Sequence, residues 1–523
     1  MRFRHLVLLG MSSFIGIGQS YCLSKDYVLT IGGGFSPQGN QASLEANVLF
    51  FNKVLLEQSP KVESQPKPNL EHKVYFADGF DPKSDLQIIA PKTVAESPAI
   101  ELLNTIFFDG TRDRVSYRNH TVPDIAGGIA PSEIEAGFDE LASNLTVGDR
   151  LIVYVTAHGS AATGDNKMDT SIACWNREKI QMSKFSKWLD DLPSSVPVIM
   201  IMAQCYCGGF SNTIYQQGDP ANGLSEQVRV GFFAQRHDLP AAGCRPDIEN
   251  DQEYSSYFWG AFMGRLRSGT EIENVDCDGD KRISFAEAHA YAVLESPTID
   301  IPLRTSDEFL RRYSQIAEYE TPPLGTTKPE VQENVATDIS YMSGTIGELA
   351  SSGRPELRRC VLGLASQLGL SADDAVSVVL NQKNEAEETF NQSRQRPSRG
   401  GPRGARGGRN SRRRDLRQEL IAKWPELEDP KQWKELSWLK REECDSFMEE
   451  VQQLSNYEPF QKSLAERSVA REKSTAAELR LVRFRRLIYT IESIVLDQNL
   501  PKVANSEILS KYKSILDAEG SSL

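Results

Sequence analysis

The chain reads as an α/β protein whose mainly parallel sheet is flanked by helices, followed by a mostly α-helical C-terminal region. Three observations predict this. Two continuous apolar runs, LIVYV before His158 and VPVIMIM before Cys205, have the character of strands buried on both faces of a parallel sheet. Strand and helix patterns alternate up to about residue 295. From about Thr321 onward helical patterns dominate and no convincing strand appears.

In order, Asp26–Ile31 (DYVLTI) reads as the first strand, and Gly32-Gly33-Gly34 reads as a tight turn into an amphipathic helix from Ser43 to Glu57. That glycine loop lacks the lysine and the glycine spacing of a phosphate-binding loop. A second strand spans His72–Ala77, and residues 95–130 look loop-rich. A helix over Ser132–Asn144 leads into the His158 strand. A helix over Ser183–Leu192, with Ser183 as N-cap, leads into the Cys205 strand. Val228–Ala234 is a further strand, and Tyr254–Leu266 an aromatic-rich helix. Later helical patterns cover Pro355–Leu368, Ser371–Thr389, Asp415–Trp424, Trp433–Gln453 and Thr475–Leu496. In the last, Leu481, Phe484, Ile488, Ile491 and Val495 form one apolar stripe.

With 523 residues the chain exceeds a single core, so two or three domains are expected. Its net charge of −13 does not suit a nucleic-acid binder, and nucleic acid is not an expected partner. The exception is the run Arg394–Arg414, nine arginines without an acidic residue. It reads as a disordered linker, with contact to an anionic polymer as the alternative. Residues 1–22 have the outline of an export signal: Arg2, Arg4 and His5 precede the short apolar stretch LVLLGMSSFIGIG. The mature chain is expected to be exported, periplasmic or secreted, with no membrane span. Eight cysteines (22, 174, 205, 207, 244, 277, 360 and 444) show no repeating framework, and an oxidising compartment permits pairs such as Cys174 with Cys244.

The chemistry centres on His158 and Cys205, which end their apolar runs. Carboxyl ends of strands in open α/β sheets are where catalytic groups collect. A thiol partnered by an imidazole suits nucleophilic catalysis, with His158 also the acid to the leaving amine. The amides of Gly159 and Cys205 are candidate oxyanion donors, and Gly208-Gly209 would leave room for a substrate backbone. A buried structural thiol remains the alternative for the cysteine, as does a zinc site from His158, Cys205 and Cys207, for which a fourth ligand is not apparent.

These strings resemble the caspase/legumain-type cysteine peptidases, in which one strand ends in His-Gly and a later one closes on Cys. Ala157-His158-Gly159 and Ala203-Gln204-Cys205 carry the likeness, with Cys207-Gly208 in the small-residue positions after the nucleophile. It extends over roughly residues 25–295 and looks nearest to bacterial legumain-like peptidases. The resemblance implies a caspase-like domain (23–320), Cys205 rather than Cys207 as nucleophile, and hydrolysis through a thioester without an organic cofactor, on a peptide or protein substrate. A segment 321–393, the linker 394–414 and a helical region 415–523 would follow. A non-catalytic caspase-like scaffold is the competing class.

A second motif runs from Asp276 to Glu287. Asp276, Asp278 and Asp280 alternate and Glu287 stands twelfth, the spacing of an EF-hand calcium loop, with Arg282 offering a carbonyl and Ser284 holding a water. Ile283 should point into the core. Lys281 occupies the position where the sharp turn normally has glycine. The alternative is an acidic turn capping the next helix. Acidic side chains at Asp238, Asp247 and Asp251 hint at a basic residue before the scissile bond.

Overall fold

A computed structural model describes residues 25–58, 70–89, 97–108, 115–242, 250, 252–314, 342–394 and 411–523. The export-signal segment (1–22) and most of the arginine run (395–410) therefore lie outside the described residues, as do Cys22, Cys244, Asp247 and Asp251.

β1 (Asp26–Gly33) and α1 (Ala42–Glu57) are followed by β2 (Leu70–Phe76). Next come β3 (Leu86–Ile89), α2 (Pro98–Phe108), β4 (Val115–Arg118) and β5 (Ile125–Gly127). Then α3 (Pro131–Asn144) leads to β6 (Arg150–Ser160), the short antiparallel pair β7 (Ser171–Ala173) and β8 (Lys179–Gln181), α4 (Met182–Asp190) and β9 (Val198–Met202). β10 (Arg229–Phe233), α5 (Tyr254–Met263), α6 (Phe285–Glu295), β11 (Leu303–Arg304) and α7 (Thr305–Tyr313) complete the α/β part. Only helices and short helical turns follow as named elements: α8 (Ile346–Ser352), α9 (Pro355–Leu368), α10 (Val376–Arg394), α11 (Ser411–Lys423), α12 (Asp445–Gln452), α13 (Tyr457–Val503) and α14 (Ser506–Glu519).

The main path of the nine-stranded sheet runs β11-β10-β9-β6-β1-β2-β5. Every pairing from β10 to β5 is parallel, and β11 alone on that path is antiparallel. Leu151 to Val155 and Val198 to Met202 are all buried, as continuous apolar strands in a doubly covered sheet must be. The chain passes from β1 to β2 on one side, then to β6 on the other, so the strand order reverses between β1 and β6. That reversal opens a crevice beyond the carboxyl ends.

Two local expectations are corrected. The 95–130 stretch contains the helix α2, whose Ala99, Leu103, Ile106 and Phe107 pack with Leu416, Leu420, Trp433 and Phe447 from much later in the chain. Ser183 is not the N-cap of α4. The cap position is Gln181, and Asp169 from a distant loop accepts the Ser183 amide at 2.9 Å.

The helical part shares its cores with the sheet part. Leu496, Leu500, Tyr512 and Ile515 of α13 and α14 belong to the sheet's core. Leu481, Phe484 and Ile491 of the apolar stripe pack with Ala290, Val293 and Leu294 of α6. Among the described residues no helix is long and apolar enough to cross a membrane.

Candidate active site

β6 and β9 lie side by side in register, Val155 opposite Met202, and the Ala203 amide donates to the Val155 carbonyl at 2.9 Å. His158 and Cys205 each come three residues after that last paired position, so equal overruns bring both to the same edge. With Gly159, Phe35, Tyr206 and Pro240 they line one cavity of about 450 Å³. A larger cavity, about 1050 Å³, lies at the opposite edge, where Asp26, Arg150 and Pro197 mark strand beginnings.

His158 is held by the β1–α1 loop. Its Nε2 is 2.8 Å from the Gly39 carbonyl oxygen and 2.9 Å from Gln41 Oε1. A carbonyl can only accept, so Nε2 carries the proton and Nδ1 keeps the lone pair. Burial lowers the imidazole pKa, partly opposed by the Gly39 carbonyl, so the ring is neutral near pH 7 and able to take a proton. The Phe35 ring meets it edge-on at 5.3 Å. Gly39, Gln41 and Phe35 went unread in the sequence because their segment looked like a turn. It is one: a Cβ on Gly34 would collide with the Gly39 carbonyl.

Cys205 is buried, and its sulfur is in a disulfide. The Ala241 amide donates to the same sulfur at 3.1 Å. The permitted Cys174–Cys244 pair does not form, because Cys174 is a free buried thiol pushed up to about 12 by burial. Cys207 is also free; it accepts the Gln235 amide at 3.2 Å, donates to the Gln235 carbonyl at 3.3 Å, and is likewise pushed up to about 12. It is a packing thiol. The zinc arrangement of His158, Cys205 and Cys207 therefore does not assemble.

Gly159 abuts Cys205 so closely that a Cβ there would collide with the Cys205 carbonyl oxygen. The two candidate oxyanion donors thus sit on adjoining stretches of backbone. Gly208 and Gly209 differ from expectation. Their Cα positions face the backbone of Arg236–His237 and of Met168, so they admit the chain's own packing rather than a substrate. Tyr206, between the two cysteines, adopts a left-handed φ of 60°, sparsely populated by non-glycine residues. The cavity wall includes Arg177, Glu178 and Lys179, which sequence reasoning missed. Asp238 is paired with Arg236 at 2.9 Å.

In the Asp276–Glu287 loop, Asp276, Asp278 and Glu287 each bring a carboxylate oxygen within 4.8 Å of the others. The Asp280 carboxylate does not join that cluster, whereas the Ser284 hydroxyl donates to Glu287 at 2.9 Å. Asp276 accepts the amides of Gly279 and Lys281, which hold its carboxyl below the usual range. Lys281 adopts a φ of 69°, the left-handed turn expected there, and Ile283 packs against the core. Ser284 and Glu287 also form a reciprocal cap on α6, so the helix-capping role is present as well. The loop lines the cavity at the amino-terminal edge of the sheet, away from His158.

No family model matches the chain, and no curated protein matches it. Among solved structures, the crystal structure of protein GSU0716 from Geobacter sulfurreducens aligns at 9% identity over 54% of this chain and 92% of that one. Its TM-score is 0.30, and the likeness carries no argument.

Proposed function

We propose that the protein is an exported cysteine endopeptidase with a caspase-like α/β part, active when the Cys205 disulfide is reduced. The observation that carries this is the meeting of His158, Gly159 and Cys205 in one cavity at the carboxyl edge of the sheet. A thiol reductant first opens the disulfide, itself being oxidised. His158 Nδ1 takes the Cys205 thiol proton as the thiolate attacks the scissile carbonyl carbon, and the amides of Gly159 and Cys205 stabilise the developing oxyanion. Protonated His158 gives its Nδ1 proton to the leaving amine, forming a thioester. Neutral His158 then takes a proton from water as that water attacks, releasing the acid and the thiol. Arg177 and Lys179 outweigh Glu178 on the wall, which favours an acidic residue before the scissile bond. Calcium in the Asp276–Glu287 loop would stabilise the amino-terminal edge rather than enter the chemistry.

The disulfide itself favours a second reading, a non-catalytic scaffold in which Cys205 is structural. A fluorogenic panel with Asn, Asp, Arg or Lys before the scissile bond separates the two. Reductant should switch on cleavage, strongest after Asp, and Cys205→Ala and His158→Ala should each abolish it. No cleavage by reduced protein would establish the scaffold reading instead, and cleavage that survives Cys205→Ala would remove Cys205 as the nucleophile.

A further inference from the structure

Asp78, Asp85 and His120 come from three separate stretches, just beyond β2, before β3 and after β4. One donor atom from each lies within 4.8 Å of the other two. Asp78 Oδ1 and His120 Nδ1 are buried atoms with no hydrogen-bond partner. His120 Nε2 is 3.1 Å from the Gly79 carbonyl oxygen, so Nε2 carries the proton and Nδ1 presents a lone pair. Fully buried Asp85 accepts the His120 amide at 2.8 Å through Oδ1 and the Asn40 side-chain amide at 3.2 Å through Oδ2.

The cluster is thus a set of acceptors facing one another. The guanidinium that could offset it, Arg118, is bound in two-pronged fashion to Glu45. Buried lone pairs without donors are costly, and a cation answers all of them at once. The supporting shell is of the kind metal sites use: the imidazole donates its other N–H to a backbone carbonyl, and the second carboxylate is oriented by two amides.

We propose that Asp78, Asp85 and His120 bind a divalent first-row metal ion, zinc or manganese, as one imidazole nitrogen and two carboxylates suit. Binding does not depend on the peptidase reading. A consequence of it does. Asn40 holds Asp85 and accepts the Gly34 amide at 3.0 Å, and its chain neighbours Gly39 and Gln41 hold His158. An ion bound by Asp85 would therefore brace the loop that fixes the His158 tautomer.

The test is zinc titration of untagged, chelator-stripped full chain by calorimetry. About one zinc per chain should bind, persist in Asp276→Asn/Asp278→Asn, and weaken about 100-fold or more in Asp78→Asn and in His120→Gln, with Asn40→Ala weaker by about tenfold. Cobalt bound by the unaltered protein should give visible absorption without a thiolate charge-transfer band, an arm that stands even if a variant fails to fold. Absence of zinc binding to folded protein, unchanged affinity in Asp78→Asn and His120→Gln, or a thiolate band would each overturn the site. Zinc binding without peptide cleavage leaves the metal site standing and removes only its link to His158.

Discussion

Arg486 in α13 is almost wholly buried, and every arm of its guanidinium is taken up. It donates to the carbonyls of Asp300, Val293 and Ser296 at 2.8 Å and to that of Thr298 at 3.0 Å. Near it, Arg304 faces three carboxylates, Asp307, Glu356 and Glu519, that tie β11 and α7 to α9 and α14. The carboxyl edge of the sheet differs. There Asp78 Oδ1, His120 Nδ1 and Gln204 Oε1 are buried without partners, and Ala77 and Tyr206 adopt left-handed φ values of 44° and 60°. An unpartnered buried polar group costs roughly 1–3 kcal/mol, so such groups persist where something beyond the fold itself uses them. The helical side pairs its charges to hold the chain together, with a donor such as Arg304 Nη2 left over; the edge leaves acceptors open.

The contrast can be broken by substitution. Arg486→Met should produce the largest effect, a loss of about 3–5 kcal/mol in urea unfolding, because several buried carbonyls lose their donor. Cleavage per folded molecule should stay unchanged, and a selective loss of activity would mean that the helical side does more than stabilise. Gly159→Ala should do the reverse. Its added methyl group meets the Cys205 backbone, so stability should fall by about 1–3 kcal/mol while kcat/KM falls far more steeply. An alanine variant with full activity would remove the Gly159–Cys205 contact from the working site.

The smallest effect concerns acid. The histidines among the described residues run from His72 to His289, so their acid sensitivity belongs to the sheet side. Burial depresses His72 to about 4 and His289 to about 3. In the unfolded chain these rings take up protons as pH falls below about 6.5, whereas the folded protein keeps them neutral. Their contribution is present above about 6.5 and is lost as pH falls towards 4. Melting temperature should drop over that window, and His72→Gln should flatten the drop.

What could be read locally came from spacing. β1, β6 and β9 were legible as apolar runs, the Asp276–Glu287 loop as a twelve-residue pattern, and the turn strain at Lys281 as a lysine in a glycine position. α2 was not legible as a helix in a loop-rich stretch; its apolar face is completed by Leu416, Leu420 and Trp433, more than 300 positions away. The disulfide at Cys205 could not be foreseen either, since eight unpatterned cysteines leave connectivity open.

By itself, then, the sequence determined where strands end and which reactive residues stand at their ends, because backbone periodicity and turn chemistry act over a few residues. Only the tertiary structure decided which ends become neighbours. The reversal of strand order between β1 and β6 puts Gly39 and Gln41 against His158, and the turns beyond β2 and β4 bring Asp78, Asp85 and His120 together. Those meetings depend on crossovers and core packing spread over the whole chain, and no local pattern encodes them.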